Sequence, residues 1–168
     1  MEENTARKAV EEDSFQTQED TLKGRFLTFR LAEEDYGFEI RYVTEIIGIQ
    51  KIPDVPDMPG FVKGVINLRG KVIPVMDVRA RFSLPEREYD ERTCIVVVNV
   101  EDKSVGLVVD KVNDVAAIPN DQIEPPPRAG GSCSYLQGIG KIGEEVKILL
   151  DIKHLLYEEQ IDQISLTD

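Results

Sequence analysis

The chain has 168 residues and is strongly acidic, with 20 Lys and Arg against 32 Asp and Glu and a formal net charge of −12. This length suits one domain, or two small subdomains that share one hydrophobic core. Because the charge repels phosphate backbones and anionic headgroups, nucleic acid and membrane surfaces are disfavoured as partners. The apolar runs are too short to cross a membrane and the first residues do not read as a leader, which predicts a soluble protein inside the cell.

The segment from Met1 to Lys23 is polar, and Phe15 is its one aromatic residue. Such a segment cannot bury enough apolar surface to offset the conformational entropy that is lost on ordering. We therefore predict a disordered acidic tail over residues 1–23.

Alternating residues after this tail predict a first hairpin. The apolar side chains on one face of its first strand are Leu27, Phe29 and Leu31. Those of its second strand are Tyr36, Phe38 and Ile40. The period of two is typical of half-buried strands, and the acidic segment Glu33–Asp35 between them predicts a three-residue loop.

The next segment combines a helical spacing with a run of prolines. Val43, Ile46 and Ile47 predict a short helical turn, which leads into a strand over Ile47–Ile52. The three prolines of Pro53–Pro59 predict an extended loop, because each lacks an N–H and biases the residue before it.

A second hairpin follows the proline loop. Its strands are predicted over Gly64–Leu68 and Lys71–Met76, with a turn at Arg69–Gly70. Pro74 places the second of these strands at a sheet edge or at a bulge, since proline cannot donate to a ladder.

The second part of the chain repeats the first. Gly37–Ile46 aligns with Gly106–Val115, and Phe61–Phe82 aligns without a gap with Tyr135–Leu156. Glycines and aspartates agree as well as valines, which argues against chance similarity between hairpins. Each half contains enough predicted strands to close a small barrel, and closure would remove exposed strand edges.

Two further elements complete the predicted fold. Cys94–Val100 is apolar almost throughout, which predicts a strand that is buried on both faces where the halves join. Lys153–Ile164 has the periodicity of a terminal helix. Neither the two cysteines, Cys94 and Cys133, nor His154 shows the spacing of a metal, redox or catalytic motif, so we predict no enzyme, no metal and no cofactor.

Four segments resemble CheW-like domains. Gly64–Asp77, which reads GVINLRGKVIPVMD, resembles the Asn-Leu-Arg-Gly stretch that marks the family. Tyr36–Ile40, Val43–Ile46 and Leu149–Leu156 resemble three other family segments, in the family's order and spacing. The likeness extends from Arg25 to Glu158. It implies an all-β fold of two five-stranded SH3-like barrels packed together, with short helices and a C-terminal helix.

The resemblance also suggests a division of the chain. The expected parts are the tail over 1–23, a CheW-like domain over 24–158 with approximate halves 24–92 and 93–158, and a helix end or tail over 159–168. An exchange of strands where the halves join stays open.

The resemblance implies a function that consists of binding other proteins and involves no catalysis. CheW-like proteins are chemotaxis adaptors at cytoplasmic receptor arrays, where they bind the regulatory domain of the histidine kinase CheA and the cytoplasmic tip of methyl-accepting chemoreceptors. The sequence shows neither a kinase catalytic segment nor a receiver domain, which favours an isolated coupling protein. The expected membrane association is only indirect, through the receptors.

The family pattern assigns the coupling contacts to the second hairpin and its neighbourhood. Arg69 is the first candidate, because its repeat counterpart is Gly143 and the fold can therefore build this turn without arginine. The family's partner for this arginine falls on Glu45. The other residues that the resemblance assigns to coupling are Val43, Gly64, Asn67 and Leu68. For Gly64, a local role in a bulge or a close backbone approach is an equally open interpretation.

A different class of function remains as the alternative. Small barrels also serve as independent modules that bind peptides, proteins or oligonucleotides. The acidity counts against oligonucleotides, and an aromatic content of 7% without Trp counts against a groove for proline-rich ligands. A peptide- or protein-binding module outside chemotaxis is the interpretation that competes with the adaptor.

Overall fold

The computed structural model describes residues 22–57, 62–126 and 135–156. Its strands are β1 (Arg25–Leu31), β2 (Glu34–Glu39), β3 (Val43–Gly48), β4 (Val62–Leu68), β5 (Lys71–Asp77), β6 (Cys94–Val100), β7 (Lys103–Val109), β8 (Lys111–Ala117), β9 (Ile123–Glu124), β10 (Leu136–Ile142) and β11 (Glu145–Leu150). Two short helices, α1 (Val78–Arg81) and α2 (Ile152–Leu156), follow β5 and β11, and single 3-10 turns cover Ile40–Tyr42 and Asn120–Gln122.

The strands form two sheets, each an SH3-like barrel, and each sheet draws on both halves of the sequence. Sheet A has the order β8-β1-β2-β11-β10-β9, and sheet B has the order β3-β6-β7-β5-β4. The first hairpin, β1–β2, pairs with β8 and β11, while β6–β7 pairs with β3 and β5. The opening hairpin of each half therefore belongs to the sheet that the other half completes.

Strand pairing confirms the repeat. The two parallel contacts of the fold place Leu149 opposite Gly37 in sheet A and Val75 opposite Gly106 in sheet B. These four residues form two aligned pairs of the repeat. The register of β4 and β5 shifts just before Gly64, and that of β10 and β11 shifts just before the aligned Gly138. The halves thus share their pairings and their bulges.

The core has a central part between the sheets and one part inside each barrel. Buried residues of the central part include Phe29, Phe38, Val96, Val98, Leu107 and Leu150. Those inside sheet B are Ile66, Ile73, Val75, Ile95, Val97 and Val108. Successive residues of β6 alternate between these two clusters, which confirms that this strand is buried on both faces. Inside sheet A the buried apolar cluster has three members, Phe26, Ile118 and Leu149.

The predicted loop of the first hairpin was wrong by one residue. Leu31 pairs with Glu34, so the turn contains two residues, with Ala32 in the left-handed region at φ 56°. Asp35 belongs to the ladder and pairs with Arg30, whose Nε donates to the Asp35 carboxylate at 3.2 Å. This cross-strand ion pair is compatible with the observed register and adds modestly to it.

The start of β3 was also predicted incorrectly. The helical turn ends at Tyr42, and the strand runs over Val43–Gly48 instead of Ile47–Ile52. The apparent helical spacing arose because Ile46 was counted as inward-facing, whereas its side chain is 42% exposed. Residues on this strand alternate between partly buried and exposed, as a period of two requires.

The second hairpin and its turn at Arg69–Gly70 are confirmed. The prediction that Pro74 places its strand at a sheet edge or a bulge is wrong, because β5 lies inside sheet B between β4 and β7, and Pro74 pairs with Val65 in the regular part of the β4–β5 ladder. Proline is tolerated here because the ladder with β7 begins only at Val75, so the missing N–H interrupts no second ladder. The predicted tail covers residues 1–23, of which 1–21 lie outside the described residues, as does the part of the predicted terminal helix beyond Leu156.

Candidate functional site

The turn between β4 and β5 holds its arginine in an unusual backbone conformation. Arg69 has φ 54° and Gly70 has φ 84°, which suits the two-residue turns that match the twist of a hairpin. The left-handed region is unfavourable for a residue with a side chain. The repeat counterpart of Arg69 is Gly143, with φ 59°, so the second hairpin places a glycine at this left-handed position and avoids the strain.

Arg69 forms an ion pair with Glu45 of β3, the strand at the outer edge of sheet B. The Arg69 Nη2 donates to Glu45 Oε2 at 2.7 Å. The Arg69 side chain is 79% exposed, whereas that of Glu45 is 22% exposed. An ion pair this open contributes only about 0–1 kcal/mol to the free energy of unfolding. A contribution to folding stability therefore does not explain why this ion pair is present.

The equivalent position in the other barrel has no such pair. There the residues are Gly143 and Asp114, and the Asp114 carboxylate accepts a hydrogen bond from Thr28 Oγ1 at 2.7 Å. Within the described residues, the Arg69 guanidinium uses only Nη2, and its other N–H groups face outward. This arrangement anchors one end of the guanidinium and leaves donors for a partner.

Asn67 and Leu68 belong to the same hairpin tip. Asn67 Oδ1 accepts a hydrogen bond from the Gly70 N–H at 2.9 Å, which links the two ends of the turn. Leu68 is partly buried and packs against the core inside sheet B. The structure therefore brings four of the predicted residues together: Asn67, Leu68, Arg69 and Glu45.

Gly64 has a local packing role that the sequence had left open. It is buried at the bulge, and a Cβ built on it would lie 1.9 Å from the carbonyl oxygen of Pro53. That oxygen accepts the hydrogen bond of the Val65 N–H at 3.1 Å, so it cannot move away freely. Four residues of strand, about 13 Å, separate Gly64 from Leu68. Val43 lies on β3, half-buried against the central core.

Exposed apolar side chains were not identified from the sequence. In sheet B they are Ile46, 42% exposed, and Val72, 65% exposed. In sheet A they are Val115, 48% exposed, and Val146, 53% exposed. Val115 is the repeat counterpart of Ile46, and Val146 that of Val72. The alignment contained this signal, because it paired the four residues, but only the sheets show that they face outward.

The two barrels differ in charge beside these residues. In sheet B the turn reads Arg69-Gly70-Lys71, with Val72 next to it. In sheet A the equivalent turn reads Gly143-Glu144-Glu145. One hairpin tip is basic and its counterpart is acidic, so the exposed valines Val72 and Val146 lie beside charges of opposite sign.

A largely buried ion pair between Arg79 and Asp110 was also missed. Arg79 in α1 donates from Nε and Nη2 to the two Asp110 oxygens, at 2.7 and 2.8 Å. Asp110 follows β7 and also accepts from the Ala32 N–H at 2.9 Å, which ties sheet B to the first hairpin of sheet A. Burial raises the pKa of Asp110, but the hydrogen bonds from Arg79 and Ala32 outweigh burial and hold that pKa below its usual value.

The described residues show no arrangement for metal chemistry. Residues 22–57, 62–126 and 135–156 contain no group of three His, Cys, Asp or Glu side chains that could hold a metal ion. In the same segments, no helix has the length and hydropathy that crossing a membrane requires.

Comparison with known proteins gives one consistent family. Residues 25–160 match the CheW-like domain. The chain is 40% identical over 144 residues to the chemotaxis protein CheW of Klebsiella aerogenes, a match that covers 84% of this chain and 87% of the relative. It is 30% identical over 163 residues to the CheW of Treponema pallidum, with 94% and 91% covered. The crystal structure of the scaffolding protein TtCheW from Thermoanaerobacter tengcongensis matches with a TM-score of 0.75 and 34% identity, over 82% of this chain and 94% of that one.

Proposed function

The chain belongs to the family of CheW-like domains, and from this premise we propose that it couples methyl-accepting chemoreceptors to the histidine kinase CheA. Its relatives are chemotaxis scaffold proteins and not enzymes, and this chain is a scaffold of the same kind. In the proposed role it works in the cytoplasm at receptor arrays, and it meets the membrane only through the receptors.

The observation that carries the proposal is the Arg69–Glu45 pair. The fold can make the turn with glycine, as Gly143 does, yet this barrel keeps an arginine in a strained conformation. The pair adds little to stability because Arg69 is so exposed. A function outside folding accounts for both features, and binding to a receptor or to the kinase is the function that the family suggests.

The other predicted residues support this surface in different ways. Val43 and Leu68 are partly buried, and they lie close in sequence to Glu45 and Arg69 respectively. Asn67 closes the turn. Gly64 contributes through the backbone, because it allows Pro53 to pack against β4.

The proposed kinase surface is one of the two apolar pairs, Ile46 with Val72 or Val115 with Val146. Interfaces between proteins commonly bury an apolar centre inside a polar rim, and each pair lies beside charged residues. The regulatory domain of CheA is itself CheW-like, so a barrel of this chain can meet a barrel of the kinase. Their opposite charges make the two surfaces selective for different partners.

A pull-down with two purified baits tests the proposal. The baits are a receptor cytoplasmic fragment and the CheA regulatory domain, and we expect the chain to bind both. Val72→Asp and Val146→Asp are matched variants in the two barrels. We expect one of them, and not both, to abolish capture by CheA while receptor capture continues. Failure to bind either bait would support the alternative, a small-barrel binding module outside chemotaxis.

A further inference from the structure

We propose that Asn67 is the positioning residue that holds Arg69 in its coupling conformation, an inference that rests on the proposed function. The Asn67 Oδ1 accepts from the Gly70 N–H at 2.9 Å, across a turn whose two residues both have positive φ. The bond spans Arg69 without touching its side chain. Asn67 therefore acts on the backbone that carries the guanidinium.

The second hairpin shows that the fold does not require this bond. The repeat counterpart of Asn67 is Lys141, whose ammonium group pairs with the Glu124 side chain on β9 instead of reaching into its own turn. Gly143 occupies the left-handed position there. Glycine adopts this conformation readily and needs no support from a neighbouring side chain. The Asn67 bond occurs in the turn where the left-handed residue is an arginine.

The Asn67 bond therefore helps to control the direction in which the Arg69 side chain leaves the turn. A residue with a side chain prefers negative φ. The turn between β6 and β7 also holds two such residues, Glu101 and Asp102, at positive φ, and the equivalently placed Asn99 donates to Ser104. The Asn67 bond therefore adds to the turn geometry in directing the Arg69 side chain toward Glu45, and its loss lets that side chain turn away more easily. The 2.7 Å contact between Arg69 and Glu45 forms only while the Arg69 side chain points toward β3. Asn67 holds the backbone and Glu45 holds one end of the guanidinium, which together fix where the remaining donors point.

Binding of a purified receptor cytoplasmic fragment, measured by calorimetry, tests the inference. We expect Asn67→Ala to weaken binding about three- to tenfold, the range of a single lost hydrogen bond. Asn67→Asp keeps an acceptor in place and should restore most of the affinity. Lys141→Ala, the matched control at the other hairpin, should bind as the wild type does.

The double variant distinguishes positioning from direct contact. If Asn67 acts through Arg69, then Asn67→Ala combined with Arg69→Ala binds no more weakly than Arg69→Ala alone. Effects that add would show that Asn67 touches the receptor itself, and would overturn the inference. Normal binding by Asn67→Ala, or equal loss in Asn67→Asp and Asn67→Ala, would also overturn it.

A measurement on the free protein separates this inference from the proposed function. The three-bond coupling between HN and Hα of Arg69 reports its φ, and we expect Asn67→Ala to change it while Lys141→Ala does not. An unchanged coupling would refute the positioning role. If the coupling changes but Arg69→Ala binds the receptor normally, then the positioning is real and the proposed function of this tip is wrong.

Discussion

Arg69 and Gly64 belong to the same sequence motif but have different roles in the protein. Arg69 occupies a backbone conformation in which glycine would be more stable, and its side chain is mostly exposed. Gly64 is buried, and its lack of a side chain is what the fold uses. Stability measurements therefore separate the two residues, although both lie in the segment that resembles the family.

The first residue-scale prediction concerns Gly64→Ala. The added methyl would collide with the Pro53 carbonyl oxygen, which is backbone and is fixed by its bond to Val65. We expect the free energy of unfolding, from urea denaturation, to fall by about 1–3 kcal/mol. Gly48→Ala on β3 is the control, because a methyl added there would meet nothing within 4 Å among the described residues, apart from its chain neighbours. Wild-type stability in Gly64→Ala would restore the interpretation of Gly64 as a direct contact residue.

At the scale of elements, the interiors of the two barrels differ in polarity. Ile73 of β5 is buried inside sheet B, and its repeat counterpart in β11 is Lys147, which is 7% exposed. The Lys147 ammonium group reaches Asp35 at 2.8 Å and Glu145 at 3.2 Å. The apolar cluster inside sheet A is correspondingly small. An ion pair with Asp35 takes the place of aliphatic packing.

This pair contributes to stability within a defined pH range. Burial raises the pKa of Asp35, but Lys147 and Arg30 outweigh burial and hold it below its usual value. The contribution of Asp35 is therefore present at neutral pH and is lost as the pH falls through that lowered pKa, below about 4. For Lys147, burial lowers the pKa, but its bonds to Asp35 and Glu145 raise it overall, so its contribution is lost only as the pH rises above about 10.

The element-scale prediction follows from removal of one partner. Asp35→Ala leaves the buried Lys147 ammonium with Glu145 alone, whose side chain is 72% exposed. We expect the free energy of unfolding to fall by about 1–3 kcal/mol at pH 7, and the difference from wild type to shrink toward pH 3. Glu145→Ala is the matched control and should cost less than about 1 kcal/mol. A difference that grows on acidification would contradict the assignment.

The repeat, the hairpins and the two-sided burial of β6 could be predicted because they depend on apolar periodicity and on turn residues. The start of β3 could not, since Ile46 is apolar but exposed and periodicity alone cannot identify an outward-facing isoleucine. The first turn was misplaced because the acidic residues were assigned to the loop, whereas Glu34 and Asp35 pair with Leu31 and Arg30 in the ladder. For the site, resemblance identified Arg69 and Glu45, whereas the Asn67 bond and the Arg79–Asp110 pair depend on distances that only the folded chain defines.

At the scale of the whole molecule, the exchange of hairpins makes the two barrels one unit. The β1–β2 hairpin pairs with β8 and β11, and β6–β7 pairs with β3 and β5. The central core draws on both sheets, and Asp110 links α1 to the first hairpin. Two barrels joined by exchanged hairpins and a shared core suit an adaptor, because a contact at one barrel is connected through the core to a contact at the other.

Receptor-dependent activity of the kinase CheA is the most direct test of whether Arg69 and Glu45 couple the receptor to the kinase. The activity is measured in reconstituted mixtures that contain Arg69→Glu, Glu45→Arg or the double reversal. Both single variants should keep a melting temperature close to that of the wild type, because the pair is exposed, yet should lose activation of the kinase. The double variant should recover activity only in part, since Arg forms planar, bidentate bonds that a relocated charge seldom reproduces. Wild-type activation by both single variants would contradict the account and would leave Arg69 as an ordinary solvated residue of a turn.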